Sequence, residues 1–205
     1  MKIEYKASNE MSAAAIKAAT GKTWDEWFSA LDKFGGPEKG RKALNEFLFN
    51  KNKVEAWWTG TIVVEYEKAR KVFEKDGRPK GYNICATKSV AAKPQQIFDA
   101  FTDAGKLNKW LGPGTKGEFK DGGSFSNADG NKGSIKKVNP GKGLRFTWEG
   151  PKHDGEIVEV KIAPSGAKCS VMINHDRIQT REAADGLRAA WGAALETLKA
   201  QLEGK

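Results

Sequence analysis

Positions 186–202 read GLRAAWGAALETLKAQL. Leu187, Trp191, Leu195, Leu198 and Leu202 recur there at three- and four-residue steps, the apolar stripe of an amphipathic helix. Upstream, positions 144–149 read LRFTWE. Leu144, Phe146 and Trp148 alternate with Arg145, Thr147 and Glu149, the period of a strand with one buried face. A long helix closing over such strands either packs their concave face solid or leaves a cavity. That choice decides what the protein is able to do.

Outward from this pair, the segment 82–202 reads as strand, two short helices, about six antiparallel strands and the closing helix. Residues 82–90 predict a strand with Tyr82, Ile84, Ala86, Lys88 and Val90 on one side. Pro94 opens a helix carrying Ile97, Phe98 and Phe101, and a second short helix carries Leu107, Trp110 and Leu111. Turn chemistry then punctuates the strands at Gly122-Gly123, Asp129-Gly130, Pro140-Gly141 and Ser165-Gly166. Asp-Gly and Pro-Gly between alternating stretches mark hairpins. Strands and helices segregate along the chain, which argues an α+β class.

The first 76 residues predict an all-helical domain. An Ala-rich helix spans 8–20. Thr23 with Glu26 forms a capping box for a helix bearing Trp24, Trp27, Phe28 and Leu31. Gly35-Gly36 ends it, and Pro37 suits the first turn of a third helix with Leu44, Phe47 and Leu48. Residues 50–53 are a polar break before a fourth helix over 54–73. Its stripe is Trp58, Ile62, Tyr66, Ala69 and Phe73. Residues 77–81, the Gly-Arg-Pro-Lys-Gly stretch after Lys75-Asp76, have linker chemistry, so 82–205 is expected to fold as a second domain.

Composition narrows the classes. The chain has 205 residues, 39% hydrophobic and 30% charged, as in a soluble globular protein. No apolar run reaches membrane-span length, and the first residues lack an apolar signal region. Two cysteines, Cys85 and Cys169, argue against a disulfide framework. They are expected as small buried hydrophobes, reduced in a cytoplasmic protein. The net charge of +9 is spread along the chain. Nucleic-acid binders instead concentrate basic residues on one face or arm, so nucleic acid is not an expected partner.

The ordered motifs carry a resemblance. They are 97–103 (IFDAFTD), Leu107 to Trp110, Gly122-Gly123-Ser124-Phe125, 144–148 (LRFTW), His175, and Gly186 to Leu198 around Trp191. As a set they resemble the helix-grip superfamily, also called START-like or SRPBCC. The branch they resemble holds the bacterial relatives of the heat-shock-protein-90 ATPase activator's C-terminal domain. Residues 20–28 with Trp57-Trp58 and 64–70 resemble a bacterial helical domain of unknown function, often fused ahead of a START-like domain. The resemblance implies an antiparallel sheet gripping a long C-terminal helix, and three kinds of role. These are a pocket for a small apolar molecule, a chaperone partnership, or a cyclase- or hydrolase-like activity.

Chemistry-bearing constellations are sparse. Positions 112–117 (GPGTKG) match the letters of a dinucleotide fingerprint. They lack the strand before and the helix after that would aim N–H groups at a phosphate. The two histidines, His153 and His175, stand apart from any metal-ligand spacing, so neither a metal nor a cofactor is expected. His175 shares strand parity with Cys169, Val171 and Ile173, which puts it near the mouth of any cavity. It is either a hydrogen-bonded edge histidine or a polar group that orients a ligand. For the enzyme reading, His175 and Arg177 are the available candidates. Asp154 with Glu156, and Glu65 with Glu67, sit at spacings typical of solvated faces. Gly186 and Gly192 allow close contact with the sheet or leave room for a ligand.

The leading expectation is a binding or sensing protein. A small apolar molecule would lie between sheet and closing helix, lined by Phe98, Trp110, Phe125, Phe146, Trp148, Val160, Met172, His175, Leu187, Trp191 and Leu195. The alternative is an aromatic core packed without a cavity.

Overall fold

The computed structural model describes residues 1–150 and 152–204. The chain divides into two compact units, Ala7–Tyr82 and Met1–Lys6 with Asn83–Lys205. Six N-terminal residues therefore belong with the sheet, where the sequence placed them in the helical segment.

The first unit is helical: α1 (Ala13–Thr20), α2 (Trp24–Phe34), a 3₁₀ turn (Pro37–Lys39), α3 (Gly40–Glu46), a π turn (Phe47–Lys51) and α4 (Ala56–Ala69). The α1 helix starts five residues later than expected because Ser12 caps it, accepting from Ala15 N–H. The capping box of α2 forms as read: Thr23 N–H donates to Glu26 Oε2 at 2.7 Å, and Glu26 N–H donates to Thr23 Oγ1 at 3.3 Å. Helix α4 is buried around most of its girth, including Thr61, Ile62, Val63 and Val64. Burial here overrides the low helix propensity of that β-branched run. The helix ends at Ala69, so Ala69 is exposed and Phe73 is 51% exposed. The lower end of the expected stripe is thus not buried.

The segment read as a linker is instead a tight hairpin. Phe73 bridges Pro79, and Gly77 N–H donates to Glu74 O. Glu67, expected on a solvated face, is buried. Arg41 Nε donates to its Oε2 at 2.7 Å, and Lys80 Nζ stands 3.7 Å from its Oε1. Arg41 Nη1 also holds Gly81 O at 2.7 Å, so one buried carboxylate organises both the helices and the hairpin.

The second unit is a seven-stranded antiparallel sheet with three helices. Its elements are β1 (Tyr82–Val90), α5 (Pro94–Thr102), α6 (Ala104–Trp110), β2 (Lys116–Gly117), β3 (Ser124–Ser126), β4 (Lys132–Asn139), β5 (Gly143–Gly150), β6 (His153–Ser165), β7 (Lys168–Ile178) and α7 (Arg181–Glu203). The strand order is β1-β7-β6-β5-β4-β3-β2, and α7 packs against β7, α5 and α6. This is the helix-grip arrangement. Leu187, Trp191, Leu195 and Leu198 are all buried on the gripped face, and Leu202 is half-buried at its end.

Alternation on β7 and on β1 corrects two expectations. Cys169, Val171, Ile173 and His175 point into the core, so Met172 points to the opposite face. The side-chain period of two admits no other outcome once Val171 is inward. Cys85, on the neighbouring strand β1, is exposed, and only Cys169 is a buried thiol. Among the described residues, no helix is long and apolar enough to cross a membrane.

Candidate functional site

A chain of hydrogen bonds centred on Glu156 runs through the buried core of the sheet unit. His153 Nδ1 and His175 Nε2 both lie 2.8 Å from Glu156 Oε2. Trp191 Nε1 donates to His175 Nδ1 at 3.1 Å. At the other end, the Tyr5 hydroxyl meets His153 Nε2 at 2.9 Å. Glu156 is 1% exposed and His175 fully buried. Strands β6 and β7 place these groups: Val158 pairs with His175 across the ladder, and Glu156 lies two residues before Val158. Gly155 takes φ 62°, the left-handed region open to glycine. That break in alternation lets His153 and Glu156, three residues apart, both turn inward.

The N-terminal segment is part of this site. Glu4 crosses α7 where Gly186 has no side chain; a Cβ there would sit 2.2 Å from Glu4 O. Gly186 thus serves close approach of residues 1–6, not of the sheet, and Gly192 has open space above it. Asn131 Nδ2 donates to Met1 O at 2.8 Å. The Lys152 ammonium lies 4.4 Å from the Tyr5 ring centroid.

Directions of titration follow from this wiring. Burial pushes the Glu156 carboxyl up, but the N–H bonds from His153 and His175 outweigh it and hold the group below the ordinary 4.5. Burial holds His175 below the ordinary 6.5, against the pull of Glu156. Burial, then the Glu156 charge, push the Tyr5 phenol up. A group whose folded value is depressed stabilises above its unfolded value and loses that contribution as pH falls. Stability of this unit is therefore expected to decline as pH drops below 6.5, first through His175, and further below 4.5 through Glu156. Urea midpoints that stay constant from neutral pH down to about 4 would refute this.

The arrangement does not suit a metal. A metal-bound imidazole donates its second N–H to an acceptor, whereas His175 Nδ1 is itself an acceptor for Trp191. No cluster of three or more His, Cys, Asp or Glu among the described residues is arranged to hold an ion. Tyr5, His153 and Glu156 stand in hydrogen-bond series, and burial with the Glu156 charge keeps the Tyr5 phenol protonated to higher pH.

Beside the chain of hydrogen bonds lies an apolar cavity of about 10 Å³, walled by residues of α5, α6, the sheet and α7. That volume admits about one water, against about 300–1,000 Å³ for a ligand pocket. Of the expected lining, Trp110, Phe125, Phe146 and Trp191 reach it, joined by Phe101, Leu107, Leu111, Phe119, Ile135 and Leu144. Phe119 alone among these is not buried. Phe98, Val160, Leu187 and Leu195 are core residues set back from it. Trp148 is fully buried against Trp191, ring centroids 5.2 Å apart, and its Nε1 has no hydrogen-bond partner among the described residues. His175 lies at no cavity mouth; it is sealed under α7. Arg177 is the next-to-last residue of the same strand, half-buried, at φ 70°. The 112–117 stretch runs from the end of α6 into β2, which is no phosphate cradle.

Fold and core together define an α+β helix-grip protein. Residues 91–203 match the family described as Activator of Hsp90 ATPase homolog 1-like protein, and the chain belongs to that family. Three similar solved structures share the fold. The Aha1 dimer from Colwellia psychrerythraea is 22% identical over 59% of this chain and 96% of its own, with TM-score 0.54. An HSP90 activator from Plasmodium falciparum is 18% identical over 60% and 97%, TM-score 0.54. CalU16 from Micromonospora echinospora is 21% identical over 61% and 68%, TM-score 0.56. No curated protein matches the chain.

Proposed function

We propose that this chain works by binding another protein through its surface, as a cytoplasmic partner of an Hsp90-class chaperone, and performs no chemistry of its own. One observation carries the reading: the apolar cavity walled by α5, α6, the sheet and α7 holds about 10 Å³, far below a ligand pocket, which favours the surface as the part that acts. Membership in a family described by Hsp90 ATPase activation supports that partner class. Added to the Hsp90-class chaperone of its own cells, the full chain is expected to raise the steady-state ATPase rate in a saturable way. A flat rate at several-fold excess of the chain overturns the proposal.

A second reading is favoured by the cavity's chemistry. All ten lining residues are apolar, and half-buried Phe119 stands on its wall. A small apolar molecule entering past Phe119 would gain about 25 cal/mol per Å² of apolar area buried, before ordering costs. An extra mass on gently purified chain, lost on denaturation, would favour this reading; its absence together with ATPase stimulation would dismiss it.

A further inference from the structure

The hydrogen-bond directions around His175 single out one atom that has no tolerance for a proton. An indole N–H donates and never accepts. Trp191 Nε1, 3.1 Å away, therefore fixes His175 Nδ1 as an acceptor, and the ring's own proton sits on Nε2, facing Glu156 Oε2. His153 differs. Its Nε2 faces the Tyr5 hydroxyl, which is able to donate or accept. A proton reaching His153 is accommodated by rotating one O–H bond. A proton reaching His175 Nδ1 meets another N–H and breaks the bond to α7.

Trp191 is also a wall of the apolar cavity. The bond that protonation breaks is the one that fixes that wall. We propose that His175 and Trp191 form an acid-sensitive latch, in which protonation of His175 frees the Trp191 indole and opens the apolar space beneath α7 to uncharged apolar molecules. The latch goes beyond the partner reading and does not depend on it.

The groups facing His175 set its polarity. From β6 come Glu156 and, across that carboxylate, His153. Asp176 follows on its own strand, and Trp148 packs from β5 with ring centroids 5.9 Å apart. From α7 comes Trp191; the buried charges on that helix, Arg181 and Asp185, bond each other at 2.6 Å. The N-terminal segment reaches the cluster through Tyr5, beside Lys152. Glu156 and Asp176 favour the added proton, while burial and His153 oppose it, burial most strongly. The latch is closed at neutral pH and opens on acidification below the ordinary histidine value of 6.5.

The test uses the full chain, Nile red as an uncharged apolar probe, and the indole N–H resonance of Trp191. As pH falls from about 7.5 to 4.5, across the histidine range, dye binding is expected to rise severalfold. The Trp191 resonance should lose its exchange protection over the same interval, while far-UV circular dichroism stays unchanged. His175→Gln keeps an acceptor for Trp191 and a donor for Glu156 but does not titrate, so its dye binding should stay flat; His153→Gln should retain the rise. A rise that persists in His175→Gln, a Trp191 N–H protected throughout, or a dye response that coincides with loss of helix signal would each overturn the latch. Should His175→Gln not fold, Trp191→Phe decides, because it keeps an aromatic ring and lacks the N–H: pH-independent binding supports the latch and an unchanged acid rise overturns it.

Discussion

Glu156→Ala is expected to destabilise the sheet-and-helix unit by about 3 kcal/mol, because two buried donors lose their acceptor at once. His175 is locked into the tautomer with its proton on Nε2 by Trp191, so its N–H has no second partner to turn to. An orphaned buried donor costs about 1–3 kcal/mol, and the lost side-chain methylene adds about 0.8 kcal/mol. His153 has a partial escape, since the Tyr5 hydroxyl is able to accept if the ring's proton moves to Nε2. That keeps the total below the sum of two full penalties. For a unit of this size the change corresponds to a melting temperature lower by about 10 °C.

Glu156→Gln separates charge from hydrogen bonding. An amide oxygen in place of Oε2 accepts both imidazole N–H groups, so its cost should be under half that of the alanine variant. Thermal unfolding of both variants at pH 7.5 reads the difference. Equal melting temperatures for the two would mean that buried charge, not the shared acceptor, sets the effect.

Much of the fold was legible because periodicity survives burial. The stripe Leu187, Trp191, Leu195, Leu198 and the alternation Leu144, Phe146, Trp148 report which faces are covered, and the structure covers them. The same rule excludes Met172 from the core, because it alternates with inward Val171. The end of α4 departs from its periodicity for a different reason. Ala69 and Phe73 continue the helical spacing, but the chain turns at Arg70 into the hairpin bridged at Phe73 and Pro79. Composition shows the Asp-Gly turn there without showing that its strands pair.

The polar chain was less legible. Glu156 shares parity with Val158, Val160 and Ile162, an inward signal outweighed by the general habit of carboxylates to face water. No spacing rule links Tyr5 to His153, 148 residues apart; only the fold brings the N-terminal segment across Gly186. Likewise the cavity's size is a matter of side-chain packing. Phe119 lies outside any regular element, and no periodicity assigns it to a wall.

The helical unit offers the other large effect, at Trp27. This ring is 2% exposed, lies in the cluster with Ile16, Leu31, Leu48 and Trp58, and donates through Nε1 to Thr20 Oγ1 at 2.8 Å. It joins α1 to α2 by packing and by a hydrogen bond together. Truncation of such a residue costs about 3–5 kcal/mol. A unit of about 76 residues carries about 4–11 kcal/mol in all, so Trp27→Ala removes a large share of its stability. Amide exchange within α2 and α4 should then speed up by more than about a hundredfold, at 1.4 kcal/mol per factor of ten. Trp24→Ala, one turn earlier and half-buried, should cost well under half as much, because water already reaches part of its ring. Trp27→Phe retains the apolar packing and loses only the bond to Thr20, for about 1 kcal/mol plus the smaller ring's gap. If Trp24→Ala proves as damaging as Trp27→Ala, the core of this unit is centred on the exposed side of α2 and its packing is not the one described.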